Sequence, residues 1–232
     1  MPLLITDDGD NVVYTSRALH GAAAFVTPEE SRFAKRTVLL AGKRYHFYLD
    51  APYLAAEYGF TINRTADALF DLRTISKNKQ TVSLNTLTRL FSEEYAKELR
   101  MDGVLLSLRH LASEDAVTVP VDSVLLCLTL MVRLCARYGK AVQLSALRDG
   151  TSHTLFADVQ KTNECVEDCP FLTTLLTEIA AVSGLAAEAT ESEYGYTVSL
   201  ALTPPDVGLM GFKQPVSPSA RKKCRAFMEL FL

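Results

Sequence analysis

Asp122-Ser123-Val124-Leu125-Leu126-Cys127-Leu128-Thr129-Leu130-Met131-Val132-Arg133-Leu134-Cys135-Ala136-Arg137-Tyr138 is the stretch that decides the fold. Twelve of its seventeen residues are apolar. The polar positions Thr129, Arg133 and Arg137 fall at i, i+4 and i+8, one narrow stripe on a helix. Everything outside that stripe has to be buried, and each large side chain contributes roughly 1.5–3 kcal/mol of transfer free energy. Asp122 or Ser123 supplies the N-cap and Gly139 ends the helix. A helix so nearly apolar all round belongs inside a layered domain.

Outward from it, the elements alternate in type. A helix over 85–99 turns Leu87, Leu90, Phe91, Ala96 and Leu99 inward, followed by strands at 103–108 and 117–121. Pro120 implies an edge position for the second strand. Strands 141–147 and 153–159 flank Arg148-Asp149-Gly150-Thr151, a hairpin turn. A helix from about 170 to 183 stops at Gly184, and strands 186–190 and 195–202 close the run. Strand pairs joined by short turns predict a mixed, largely antiparallel sheet with helices on one face, an α/β two-layer sandwich spanning 81–204.

The flanks read differently. Residues 1–50 form a small β-rich segment: Leu3–Thr6 and Asn11–Tyr14 pair around Asp7-Asp8-Gly9-Asp10, and 37–40 pairs with 44–49 around Ala41-Gly42-Lys43. Between them, Thr27-Pro28-Glu29-Glu30 opens the polar stretch 27–36 as a helix would start. Residues 51–80 hold an amphipathic helix, with Leu54, Tyr58, Ile62, Ala66, Leu69, Phe70 and Leu72 on one stripe. Gly59 weakens its middle, and Lys77-Asn78-Lys79-Gln80 is a linker. Residues 205–232 are a proline-containing tail and a terminal helix over 219–231, whose Phe227-Met228-Glu229-Leu230-Phe231-Leu232 end can dock on its own core or on a partner.

Composition bounds the function. The chain has 232 residues, 48% of them hydrophobic and 22% charged, with a net charge of −3. That balance argues against nucleic-acid binding, which needs a clustered positive field; the run Arg221-Lys222-Lys223 reads as the solvated start of the terminal helix. No segment reaches the roughly 18 uninterrupted apolar residues of a membrane span, and the N-terminus does not read as a secretory signal. Five cysteines in a chain with an ample core suit a reducing compartment, so the expected location is cytoplasmic. Cys127 and Cys135 read as small core residues; Cys165 and Cys169 have no partner pair for a four-ligand zinc site. No metal is expected, and no nucleophile motif is present.

From Ser83 to Thr203 the chain resembles the ATP-binding domain of sensor histidine kinases, the GHKL fold shared with gyrase, heat-shock chaperone and mismatch-repair ATPases. Val82-Ser83-Leu84 enters a helix, Val119-Pro120-Val121-Asp122 leads into the long helix, Leu175-Leu176-Thr177-Glu178-Ile179-Ala180 precedes Gly184, and Gly195–Leu202 is similar to the closing strand. Upstream, Asn63–Leu72 looks like the second helix of the kinase dimerisation hairpin, and residues 1–50 faintly resemble a PAS fragment.

The departures are chemical. The resemblance implies asparagines one turn apart on the long helix, ligating magnesium and phosphate; the corresponding turns hold Leu130 and Leu134, or Met131 and Cys135 in a shifted register. An Asp-x-Gly-x-Gly should read adenine, yet Asp158 is followed by Val159-Gln160-Lys161, and no glycine occurs from 151 through 183, where the phosphate-binding lid would lie. None of His20, His46, His110 and His153 has the context of a phosphoacceptor. The expectation is a degenerate, pseudo-kinase signalling protein with no catalytic residue and with ATP and magnesium lost. It would act by homodimerisation or by binding a signalling partner through helix 53–76 or the C-terminal helix. One alternative is an ATPase or kinase that still binds nucleotide through Arg133, Arg137 and Asp158. The other is a sensor of an apolar small molecule held between sheet and helices.

Overall fold

The computed structural model describes residues 3–16, 33–50, 79–109, 116–150, 152–162 and 169–202. The expected helices at 53–76 and 219–231 lie outside them, as do His20, His110 and Cys165. Among the described residues there are eleven strands and three helices. The N-terminal strands β1 (Leu3–Asp7), β2 (Val12–Thr15), β3 (Phe33–Leu40) and β4 (Lys43–Asp50) form a sheet of their own, in the order β2-β1-β4-β3. Then come β5 (Lys79–Ser83), α1 (Leu84–Met101), β6 (Leu105–Leu108), β7 (Ala116–Pro120) and α2 (Val121–Tyr138). The chain continues through β8 (Ala141–Asp149), β9 (Ser152–Gln160), α3 (Cys169–Val182), β10 (Ala186–Glu191) and β11 (Gly195–Leu202).

The main sheet runs β10-β11-β9-β8-β6, antiparallel throughout except for the parallel pair β6–β8. Strand alternation settles which face is covered. Val142 and Leu144 of β8, Leu155, Ala157 and Val159 of β9, and Tyr196, Val198, Leu200 and Leu202 of β11 are buried. The intervening Gln143, Asp158, Thr197 and Ser199 face the other, open side. Helix α2 lies on the covered face against β8, β9 and β11, with α3 alongside it. This is the two-layer α/β sandwich expected from the sequence, in the expected element order.

Helix α2 is the core. Val124 through Val132, together with Leu134 and Cys135, are at most 2% exposed. Its N-terminal end differs from the sequence reading, while Gly139 ends the helix as expected. No side chain caps the N-terminus, where Pro120 is the capping residue, and the buried Ser123 hydroxyl makes no hydrogen bond. At the other end Gly139 is in extended backbone, with φ of −170°, and its N–H reaches the carbonyl of Cys135. Glycine is required there by proximity, not by conformation: a Cβ would lie 2.4 Å from the carbonyl oxygen of Gln160 in β9.

Three further expectations are corrected. Gly103 does not begin a strand. It ends α1 with φ of +71°, where the N–H of Val104 bonds the carbonyl of Leu99 and that of Gly103 bonds Arg100, and β6 starts only at Leu105. The linker read at 77–80 is in part strand β5, which pairs antiparallel with β7 so that the Thr81 and Thr118 hydroxyls meet at 3.0 Å. Finally, 33–36, read as the end of a helical stretch, belongs to β3.

The small sheet joins the same hydrophobic core. Leu3, Ile5, Tyr14 and Phe47 are buried in one cluster with α2 and α3. The contact is made by Phe171 in the first turn of α3, whose ring lies 6.2, 5.2 and 6.3 Å from those of Tyr14, Tyr45 and Phe47.

Candidate functional site

The polar stripe of α2 changes character along its length. At its inner end Thr129 is fully buried. Its hydroxyl donates to the carbonyl of Leu125 at 2.9 Å, and the Tyr95 hydroxyl of α1 pairs with the Thr129 hydroxyl itself. Tyr95 in turn stacks on Phe91, ring centres 3.8 Å apart. This end is therefore sealed, a hydrogen-bonded joint between two helices rather than the solvated edge expected for Thr129. Arg133, one turn on, is half-buried. Arg137 is half-buried too, and lines a cleft of about 830 Å³.

That cleft lies between the end of α2, the start of α3 and two hairpin turns of the small sheet. Tyr14, Tyr45 and Phe171 form its apolar side; Lys43 and Arg44, at the β3–β4 turn, carry positive charge on its wall. Asp7 and Asp8 of the β1–β2 turn are its acids. Asp7 is committed to its own turn. One carboxylate oxygen accepts from the N–H groups of Gly9 and Asn11 at 2.9 Å, and the Asn11 side-chain amide donates to both. Those bonds, chiefly with Asn11, hold its carboxyl below the usual aspartate range. Asp8 lies 3.8 Å from the His46 ring, whose other nitrogen meets the Thr37 hydroxyl. Among the described residues, Lys43 and Arg44 have no carboxylate within ion-pair distance.

Of the three residues expected in a residual pocket, only Arg137 reaches this cleft. Asp158 is on the opposite side of the molecule's main sheet, where it accepts a hydrogen bond at 2.8 Å from Thr197 in the neighbouring strand. The sheet itself separates it from Arg133 and Arg137. Sequence reasoning also missed Lys43, Arg44 and Phe171. The clue was available in the basic pair following Gly42 at a hairpin tip, but nothing local tells which helix that hairpin meets.

The helix turns at which the sequence resemblance implies asparagines are packed with core residues. Leu130, Met131, Leu134 and Cys135 are all fully buried, and burial pushes the Cys135 thiol far above its usual range. Beyond Asp158, β9 runs on to Gln160, and the chain is then tied down: the N–H of Lys161 bonds Tyr194 at 2.9 Å and that of Thr162 bonds Tyr138 at 2.7 Å. No described helix is long and apolar enough to cross a membrane.

No protein-family model matches the sequence, and no curated protein does. Solved structures overlap it at low identity. The histidine kinase AdeS of Acinetobacter baumannii is 10% identical, over 62% of this chain and 79% of that one, with a TM-score of 0.49. A histidine kinase from Burkholderia phymatum is 14% identical, over 62% and 78%, at 0.48. The catalytic domain of histidine kinase ThkA is 10% identical, over 55% and 97%, at 0.46.

Proposed function

We propose that the chain is a non-catalytic signalling module of histidine kinase-like architecture, cytoplasmic, acting by dimerisation or by binding a partner and not by turning over ATP. One observation carries the reading: Leu130 and Leu134 are both fully buried hydrocarbon at the turns where this architecture would need oxygen ligands. Magnesium takes oxygen donors in near-octahedral geometry, which leucine cannot supply. The placement of Asp158 on the open face of the sheet, bonded to Thr197, supports the same conclusion for adenine recognition. For the dimer, the support is the apolar stripe over 53–76, since an amphipathic helix has to cover its stripe against something.

Thermal melting with millimolar ATP or ADP, with and without magnesium, tests the reading. No magnesium-dependent shift is expected. A magnesium-dependent rise of several degrees, signalling specific binding to the native state, overturns it. Size-exclusion chromatography with light scattering tests the dimer seam separately: a dimer that Leu54→Asp with Ile62→Asp dissociates is expected, and a monomeric wild type removes the claim.

A further inference from the structure

We propose that the open face of the main sheet is a docking surface for the chain's own C-terminal segment, the basic amphipathic stretch 219–231. At one end of that face Leu147 of β8 is 60% exposed, Phe156 of β9 is half-buried, and Ala201 of β11 and Ala186 of β10 are exposed. Register makes them one patch. Leu147 is opposite Thr154, Thr154 opposite Ala201 and Ala201 opposite Ala186, with Phe156 on the diagonal. The direct neighbours of Phe156 across the sheet are Ser145 and Ser199, too short to cover its ring. Strand parity puts three acids, Asp149, Asp158 and Glu188, on the same face, against one cation, Arg109, at the β6 edge. Asp158 is bonded to a neutral hydroxyl and keeps its charge. Among the described residues, Asp149 and Glu188 have no ion-pair partner.

Position, charge and pattern select the occupant. Strand β11 ends at Leu202, opposite His153, so the chain leaves the sheet beside this patch. Sixteen residues, 203–218, then precede the helix read over 219–231. Extended, they span roughly 50 Å, against roughly 24 Å for the width of five strands, so any part of the face is within reach. Residues 203–232 hold five basic and two acidic side chains, in a chain whose net charge is −3. On a helix Cys224, Phe227, Met228 and Phe231 fall at i, i+3, i+4 and i+7, one apolar stripe, while Arg221, Lys222 and Arg225 lie off it. Apolar side chains thus meet the patch and basic ones its acids. The tether matters, because a short linker holds its segment at an effective concentration in the millimolar range. A patch of this size, too small to retain a separate molecule, is filled by a segment attached next to it. A second copy of the face fits worse, since Asp158 and Glu188 would be set against like charges.

Cys224 lies on the apolar stripe and serves as a reporter in the full chain. With oxidised glutathione, Ser199→Cys on the open face is expected to form a disulfide with Cys224 of the same chain. It should form about tenfold faster than in Glu93→Cys, whose new thiol sits on α1 in the helix layer. Adding Phe227→Asp and Phe231→Asp should remove that preference, and peptide mapping identifies the bond. The second arm leaves the segment untouched. Leu147→Lys with Glu188→Lys alters two exposed positions of the face, and trypsin should then cut between Arg221 and Arg225 about tenfold faster than in the wild type, with the melting temperature unchanged. The proposal is overturned if Cys224 bonds to position 93 as readily as to position 199, if the bond joins two chains, or if the face variant is cut at the wild-type rate. Neither arm involves nucleotide, so the outcome is independent of the magnesium-ATP test.

Discussion

One turn separates Leu134 from Arg137 on α2, yet their surroundings are opposite. Leu134 is fully buried in the core, whereas Arg137 is half-buried on the wall of an open cleft. The same helix therefore has a stretch that can host only packing and an end that can host chemistry. A site inside a close-packed layer needs its polar groups built into that layer with partners. A site at the end of the layer needs only a second body to wall it in, and here the small sheet provides one.

The comparison breaks most directly at the buried turn. Leu130→Asn and Leu134→Asn would place amides at the two turns where the sequence resemblance implies asparagine ligands. Here each should cost about 3–5 kcal/mol, the loss of leucine packing together with an unsatisfied buried amide. Urea denaturation measures it. A variant that stayed within about 1 kcal/mol of the wild type, or that acquired magnesium-dependent ATP binding, would show that the turn is a vacated ligand site rather than core.

Gly139 tests how tightly the end of α2 is held to β9. With a Cβ position 2.4 Å from the Gln160 carbonyl and 2.7 Å from Val159 Cγ2, Gly139→Ala has to push backbone aside. It should cost about 1–3 kcal/mol by overpacking. Because the backbone there is extended, no relief comes from conformational preference. A neutral alanine would mean that helix and strand can separate at this point.

At the sealed end of the stripe, Tyr95→Phe removes the hydroxyl that pairs with Thr129. Thr129 keeps its bond to the Leu125 carbonyl, so it is not orphaned, and the cost should be only about 1 kcal/mol. A double-mutant cycle with Thr129→Val isolates the pair. A coupling near zero would make this end as loose as the cleft end, and the contrast along the stripe would disappear.

The element order was legible because burial in this domain is periodic. The apolar run 122–138 and the hairpin 141–160 state their partners in their own patterns, and the structure agrees with both to within one or two residues. What stayed hidden depends on meetings between distant parts. Thr129 looks solvated on a helical wheel, and only the arrival of Tyr95 from α1 buries it. Asp158 looked like a pocket acid because its place in sequence suggested one, while strand parity puts it on the outer face. Lys79–Ser83 has too little apolar signal to announce a strand, and takes its conformation from β7. The cleft was least legible of all, since its walls come from the first fifty residues, the end of α2 and the start of α3.

The smallest expected effect lies where the core gives way to solvent, at the C-terminal end of α2. Tyr138 stacks on Tyr196 with ring centres 4.0 Å apart, and its hydroxyl donates to Glu191. Lys161 donates to the same carboxylate and sits 5.7 Å from the Tyr138 ring. The Lys161 hydrogen bond above all, with help from its charge and from Tyr138, holds the Glu191 carboxyl below its usual value of 4.5. A depressed carboxyl contributes stability that is fully present above the ordinary glutamate range and is lost as pH falls through the folded-state value. Glu191→Gln should therefore be slightly less stable than the wild type at neutral pH and indistinguishable from it in acid, with a shallower decline between. The group is exposed, so the difference is small and shrinks further with salt. A gap that instead widened on acidification would mean that the carboxyl is favoured in its protonated form, and that this rim is closer to the buried turn than to the cleft in its electrostatics.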